Sequence, residues 1–279
     1  MTTTLRPMGP ERHTPDGGRS RGYEVCVNSR PVGSVGLSTD SRLGPGAGRI
    51  QGLRIAEQDR RRGRGTVAAL AAEEVLRGWG CTRIEITVPA SAGAARAMAD
   101  GLGYTERNRI LSKRVPARPP SLPPGSAARA MNATEFEAWL EASKEDYARS
   151  WTERGVPEEA ARAKSEDDHR RKLPDGVRTS GAVLRVLSHE GRDAGTLWLA
   201  VGEGLPEAVD AFVFDVEVDA ELRGRGHGRS LMLLAERECR AAGADVLGLN
   251  VFTSNTPARR LYESLGYEPV LYGLYKPLA

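Results

Sequence analysis

Three observations predict an α/β protein built from two tandem domains of one plan. The first is a gapless internal repeat. Displaced by 163 positions, Arg60–Tyr104 overlies Arg223–Tyr267 with 16 identities in 45 positions, among them Gly80/Gly243 and the triplet Leu102-Gly103-Tyr104/Leu265-Gly266-Tyr267. A duplicated domain explains so long a period; a short-period solenoid does not. The second is the segment Pro116–Ala128, PARPPSLPPGSAA, whose five prolines exclude a helix or an inner strand and read as a semi-rigid spacer. The third is the alternation, on both sides of that spacer, of β-prone runs with helical periods. The predicted boundaries are a first domain at 1–115, a linker at 116–130 and a second domain at 131–279.

In the second copy, Ala133–Arg149 and Pro157–Lys172 are helical, with Pro157 suited to a first turn. Val183–Ser188 and Gly195–Val201 read as a hairpin, and Ala211–Val218 as the main strand. The turn Arg223–Gly228 follows. Ser230–Ala242 spaces Leu231, Leu234, Ala235 and Cys239 as a helix and stops at Gly243. Asp245–Val251 is a strand, Thr256–Ser264 a short helix ending at Gly266, and Tyr267–Lys276 a closing hairpin. The first copy is truncated in front. Tyr23–Val27 and Val32–Leu37 fit its hairpin and Arg49–Ala56 its main strand. Residues 1–21, rich in Gly, Pro and Arg, leave no room for two opening helices.

The composition bounds the function. The 279 residues are 39% hydrophobic, in the globular range, and only 4 Trp, 7 Tyr and 4 Phe are present, so the cores rest on Val, Leu, Ile and Ala. No apolar run is long enough for a membrane span, and the N-terminus has no apolar signal region. Cys26, Cys81 and Cys239 are scattered and odd in number. They suit neither a disulfide framework nor a metal site, and they fit a reducing cytoplasm. The net charge of +3 hides opposed halves: residues 1–115 carry 19 Lys+Arg and 11 Asp+Glu, residues 131–279 carry 19 and 26. Either the halves attract each other, or the first meets an anion and the second a cationic amine. The basic half lacks aromatics among its arginines to stack on bases, which disfavours nucleic acid.

Arg223-Gly224-Arg225-Gly226-His227-Gly228 ends a strand and opens a helix. Its glycines let backbone N–H groups approach a ligand, and the helix dipole adds positive potential, an arrangement suited to pyrophosphate. The turn lacks the Lys-Ser/Thr of a P-loop and does not follow the Gly-x-Gly-x-x-Gly dinucleotide spacing.

Together with Asn255 and the run Ala258-Arg259-x-Leu261-Tyr262-x-x-Leu265-Gly266-Tyr267, this turn resembles the GNAT superfamily of N-acetyltransferases. The resemblance is strong over 210–278, extends to 131–209 by order of elements, and makes 48–115 a second, eroded copy. It implies a mixed central sheet flanked by helices in each domain, with acetyl-CoA as donor. On this resemblance the backbone from Arg223 through Arg225, His227 and Gly228 to Arg229 and Ser230 holds the pyrophosphate. The strand end near Val218 pairs with pantetheine, Asn255 hydrogen-bonds that arm, and Tyr262 protonates the departing thiolate. A neutral amine attacks the thioester directly, which requires a base. Asp215 and Glu217 lie two apart on one strand and face one side. Either fits the base, with Glu217 nearer the expected thioester; alternatively both only hold an amine or pair with arginines. His227 reads as a solvent-facing spacer, His169 and His189 as surface residues, and Cys239 as core.

The first copy keeps the turn, with Arg60, Arg62, Gly63 and Gly65, but has Gly52, Arg54, Ala92 and Ala99 where the second has Asp215, Glu217, Asn255 and Tyr262. It is expected to be catalytically silent and either to hold a second CoA or to serve as a lid. The opening helices of the second copy bring Trp139, Tyr147 and Trp151 together with several carboxylates, either as helical core or as the wall of an acceptor pocket. The expected function is acetyl transfer to a primary amine, small molecule or peptide, leaning to an amino-acid-like or peptide N-terminal amine. The two-domain build also resembles mycothiol synthases, which acetylate a cysteinyl amine. An antibiotic or mycothiol-precursor amine is the alternative acceptor, and a CoA-binding regulatory scaffold without turnover is the alternative class.

Overall fold

A computed structural model describes residues 2–14, 17–44 and 46–278. The first half runs β1 (Thr3–Pro7), β2 (Arg12–His13), β3 (Arg19–Val27), β4 (Arg30–Thr39), β5 (Ala47–Ile55), α1 (Arg64–Gly78), β6 (Arg83–Pro89), α2 (Gly93–Gly101) and β7 (Thr105–Arg114). The second runs β8 (Ser126–Ala130), α3 (Ala133–Thr152), α4 (Glu158–Lys172), β9 (Ala182–His189), β10 (Arg192–Val201), β11 (Ala211–Val218), α5 (His227–Ala241), β12 (Val246–Phe252), α6 (Thr256–Ser264) and β13 (Glu268–Pro277). No helix is long and apolar enough to cross a membrane.

The chain forms two compact units, and neither is one continuous stretch. Unit 1 comprises Met1–Arg107, Trp151–Lys164 and Leu271–Ala279; unit 2 comprises Asn108–Ser150 and Ser165–Val270. The sheet of unit 1 is ordered β1-β3-β4-β5-β6-β13, with β2 against β3, and only β5 and β6 run parallel. The sheet of unit 2 is ordered β7-β12-β11-β10-β9-β8, with β11 and β12 its parallel pair. Each unit is thus closed by the last strand of the other half. The expected hairpin over Tyr267–Lys276 is instead the single strand β13. Gly273 pairs with Thr87 within the ladder rather than forming a turn, because the open edge of β6 satisfies the backbone over its full length.

The exchanged strands enter the cores. Leu111 of β7 is buried among Leu199, Leu231, Leu247 and Leu249, and Leu274 of β13 among Leu37, Leu76 and Ile84. Each strand also brings a lysine to a buried carboxylate. Lys113 Nζ donates to Glu236 Oε1 at 2.7 Å, where the Tyr267 hydroxyl also donates at 3.3 Å. In unit 1, Lys276 Nζ donates to Glu73 Oε2 at 2.7 Å, beside Tyr104. These triads are one another's repeat equivalents. Burial and the adjoining carboxylate raise both tyrosines well above the usual phenol range.

In unit 2, α5 covers one sheet face through Leu231, Leu234, Ala235 and Cys239. The opposite face is covered where Phe136 and Trp139 of α3 and Leu173 meet Leu184, Val186 and Trp198. Unit 1 has no opening helices of its own. Instead the turn between α3 and α4 packs onto it: Arg83 donates to Gly155 O at 2.8 Å, and Pro157 lies against Gly44.

Breaking a buried ion pair leaves an uncompensated charge. Lys113→Met and Lys276→Met are each expected to lower stability by about 3 kcal/mol, read from urea unfolding. Glu236→Leu combined with Lys113→Met is expected to recover most of that loss.

Candidate functional site

β11 and β12 pair only over Ala211–Val213 and Leu247–Leu249, although β11 continues to Val218 and β12 to Phe252. Beyond that point the strands part, and their facing backbone groups are left for something else to satisfy. A bulge lies just there: Leu199 pairs with Val213 and Trp198 with Asp215, leaving Phe214 as an extra residue. It places Phe214 against the Trp198 ring, at 4.9 Å between centroids, and Asp215 beneath α3 on the same side. Val216 and Val218 pack the other way, onto the α5 side.

Asp215 is half-buried. One of its oxygens, Oδ2, accepts from the indole N–H of Trp139 at 3.2 Å. Burial pushes its carboxyl up to about 6, with the charges of Glu217 and Asp146 adding to the effect. Glu217, half-buried, lies opposite Thr196. Tyr262 on α6 is buried 6.1 Å from the Tyr267 ring. Burial, and then the Asp215 charge, raise its phenol to about 12, so it keeps its proton at neutral pH.

The glycine turn sits at the end of β11. Gly224 and Gly226 have φ of +76° and +90°, a conformation that glycine adopts without a Cβ clash. At Gly228 a Cβ would stand 3.2 Å from the Leu261 side chain, so a residue with a Cβ here would have to push that leucine aside. The first N–H groups of α5 have no intrahelical acceptor. Arg223 does not point outward alone: its Nε donates to Val218 O at 3.2 Å and so ties the turn to the strand end. Arg225 is exposed, whereas Arg229 donates to Ser264 Oγ at 2.6 Å and links α5 to α6. Ser230 is buried, its N–H on Gly226 O. His227 is not the expected solvent-facing spacer. It is buried with its ring 5.0 Å from His189, and burial, then His189 and Arg225, lower its pKa. As first residue of the helix its side chain folds back over the end of β9 rather than outward. Asn255 caps α6, Oδ1 accepting from Ala258 N at 3.2 Å, which leaves its amide N–H groups to donate elsewhere.

Trp139 and Tyr147 lie in unit 2. The Tyr147 hydroxyl donates to Asp168 at 3.2 Å, and its ring meets His169 edge-on. Trp151 belongs to unit 1, its ring beneath the Arg107 guanidinium at 4.8 Å. His169, expected at the surface, is buried, with Ser143 Oγ at 3.2 Å and Ser165 O at 2.9 Å; burial lowers its pKa. Both ring nitrogens find partners between α3 and α4, which makes burial tolerable. His189, likewise expected at the surface, is half-buried against Ser126 Oγ. Cys239 is fully buried in the core, as expected.

The corresponding turn of unit 1 has the same backbone shape, with φ of +56° at Arg61 and +72° at Gly63, and Arg60 Nε donates to Ile55 O at 2.9 Å. Arg62 is exposed, and Gly65 lies against Met98 and Ile55. Arg64, in the place of His227, is buried and paired with Asp59, which Arg30 also holds. Ala92 caps α2 without a side-chain bond, Ala99 is buried, and Arg54 is exposed. No acidic or phenolic group replaces those of unit 2 at these positions.

Three features of unit 2 suit acetyl-CoA: a splayed strand pair, a glycine turn packed tightly against Leu261, and an Asn255 side chain whose N–H groups are not used in capping. The model of the acetyltransferase (GNAT) family matches residues 5–104 and 136–267. A mycothiol acetyltransferase of Thermomonospora curvata is 29% identical over 228 residues, 80% of this chain and 71% of the relative. An uncharacterized N-acetyltransferase of Bacillus subtilis, YdgE, is 29% identical over 144 residues, 49% of this chain and 88% of the relative. A tandem GNAT protein from the clavulanic acid biosynthesis pathway has the same fold, with a TM-score of 0.55 at 19% identity over 95% of this chain and 85% of that one. The chain belongs to the acetyltransferase (GNAT) family.

The Asp215 environment fixes a sign for stability. Folded, the carboxyl keeps its proton to about 6, against 3.8 as the ordinary value. Folding therefore takes up a proton between those pH values, and stability falls as pH rises through that window. Above pH 6 the whole cost is present, so Asp215→Asn is expected to stabilise the protein at pH 7.5, on the order of 2 kcal/mol, and to do so much less at pH 4. Thermal unfolding at the two pH values checks this.

Proposed function

We propose that this GNAT-family N-acetyltransferase moves the acetyl group of acetyl-CoA to a primary amine in unit 2, with unit 1 catalytically silent. Bound acetyl-CoA supplies the activated acyl group. The first-turn N–H groups of α5, from Arg225 to Arg229, hold its pyrophosphate, the Ser230 N–H being spent on Gly226 O, and Asn255 and the free end of β11 near Val218 hold the pantetheine arm. Asp215 takes the proton of the attacking amine, directly or through a water, as the C–N bond forms. The Tyr262 hydroxyl gives its proton to sulfur as the C–S bond breaks. Glu217, beside Asp215, holds the amine as a cation before it loses its first proton.

The observation that carries this reading is the parting of β11 from β12 beyond Val213 and Leu249, with the bulge at Phe214 setting Asp215 on the splayed strand end beneath α3. A carboxyl of pKa about 6 is ionised at neutral pH yet basic enough to accept a proton, and its charge reaches a phenol that remains protonated. This favours Asp215 over Glu217 as the base. Trp139, Phe214 and the carboxylates Asp146 and Glu217 favour an acceptor with a cationic amine and a modest apolar body. We infer an amino-acid-like amine, of a peptide N-terminus or a cysteinyl conjugate. The mycothiol acetyltransferases among the relatives support the second form.

Asp215→Asn is expected to lower kcat by at least about 100-fold and Tyr262→Phe by about 10-fold or more, with Glu217→Gln acting mainly on KM. The assay is mass-spectrometric detection of acetylated product from a panel of dipeptides, cysteinyl glucosamine-type conjugates and aminoglycosides. Product from aminoglycosides alone overturns the acceptor reading. In calorimetry, Gly226→Asp is expected to remove one acetyl-CoA site by placing a strained carboxylate in the anion turn. Any site that survives belongs to the Arg60–Gly65 turn of unit 1.

A further inference from the structure

Asp215 receives one side-chain hydrogen bond, and it comes from a residue 76 positions away on another element. The Trp139 indole is held there by two rings, Phe136 at 5.8 Å and Trp198 edge-on at 5.6 Å, and Trp198 in turn packs on the Phe214 ring of the bulge at 4.9 Å. An indole N–H can donate and cannot accept. It therefore favours the ionised carboxylate over the protonated one, and it commits Oδ2 to α3. Of the other groups near Asp215, the carboxylates act in the opposite sense and one backbone N–H acts with the indole. Glu217 on its own strand and Asp146 on α3 oppose its ionisation, and Tyr262 on α6 is neutral; the Val216 backbone N–H assists ionisation. On α4, Lys172 lies over the Phe214 ring at 4.3 Å, and His169 packs on Trp198 with its charged form disfavoured.

We propose that Trp139 is a positioning residue for acetyl transfer: its indole N–H fixes Asp215 Oδ2, which keeps the carboxylate ionised under a buried aromatic cover and leaves Oδ1 as the oxygen that takes the amine's proton. This rests on the reading of Asp215 as the base and extends it to a tryptophan whose packing alone suggests only core. A hydrogen bond to a charged acceptor is a strong one, so its loss is felt as a shift in the proton equilibrium as well as in placement.

The test compares Trp139→Phe, which keeps a ring and removes the donor, with Trp198→Phe, which thins the same cluster by an indole whose own N–H has no partner. Two quantities are read: the acid limb of kcat/KM with the best amine of the panel, and the carboxyl 13C NMR titration of Asp215, assigned by its loss in Asp215→Asn. In Trp139→Phe both are expected to move up by about one pH unit. Activity then falls close to tenfold at pH 5.5 and little at pH 8, while Trp198→Phe leaves both midpoints in place. A uniform loss of activity with unmoved midpoints in Trp139→Phe, or an equal shift in Trp198→Phe, overturns the positioning role and leaves Asp215 as base. An acid limb that persists in Asp215→Asn overturns the base reading and the proposal with it.

Discussion

The fold turns on a buried glutamate in each unit that only a lysine from the other half of the chain neutralises. Glu236 is fully buried and Glu73 nearly so, and neither can be left charged in an apolar interior without a partner. Lys113 and Lys276 arrive on the exchanged strands β7 and β13, which also deliver Leu111 and Leu274 to the two cores. The electrostatic requirement and the packing requirement are met by the same strands. Each unit therefore draws one strand of its sheet from the other half of the sequence. A paired glutamate and lysine also fix register, since a shift of one residue on β7 or β13 would turn the lysine to the opposite face.

Duplication allowed the two halves to specialise around a shared frame. Both copies keep the strand-end arginine that bonds back to the last carbonyl of the main strand, and both keep the left-handed residues that shape the turn. Arg60 and Arg223 therefore serve the turn's architecture, which explains why they persist where Asn255 and Tyr262 have become Ala92 and Ala99. Unit 1 even maintains this geometry with Arg61 at positive φ, a conformation that disfavours a side chain. In the same unit Arg64 has turned inward to Asp59, so part of the turn's positive charge is spent on the interior.

In unit 2 the same frame holds a carboxylate and a phenol, both shifted by burial. The bulge at Phe214 sets Asp215 under α3, and burial there makes it a weaker acid than an exposed aspartate. Burial raises Tyr262 as well, so it holds its proton. One physical cause, removal from water, raises both groups, and folding stability bears its cost. The aromatic cluster of Trp139, Trp198 and Phe214 supplies that dry environment and its only directed polar contact with Asp215 among the described side chains.

The internal repeat, the central strands and helices of each copy and the glycine turns are legible in the sequence, because these depend on local backbone preference and on residue identity at fixed spacing, whereas the edge strands β1, β2, β7 and β8 are not. The sequence also shows, position by position, which side chains differ between the copies: Gly52, Arg54, Ala92 and Ala99 against Asp215, Glu217, Asn255 and Tyr262. Other features were decided only by tertiary structure. The exchange of β7 and β13 was invisible because a closing strand carries the same apolar alternation whichever sheet receives it. Residues 133–172 read as one helical pair, yet Trp151–Lys164 joins unit 1, where the short first half leaves a sheet face to cover. The burial of His169 and His227 has no local sequence signal, because it depends on partners far apart in sequence, here Ser143 and His189. The bond from Trp139 to Asp215 spans two elements that no local pattern connects. Spacing along the chain sets what each segment can form; which carboxylate is dry, and which donor reaches it, is set by contacts that exist only once the segments have packed.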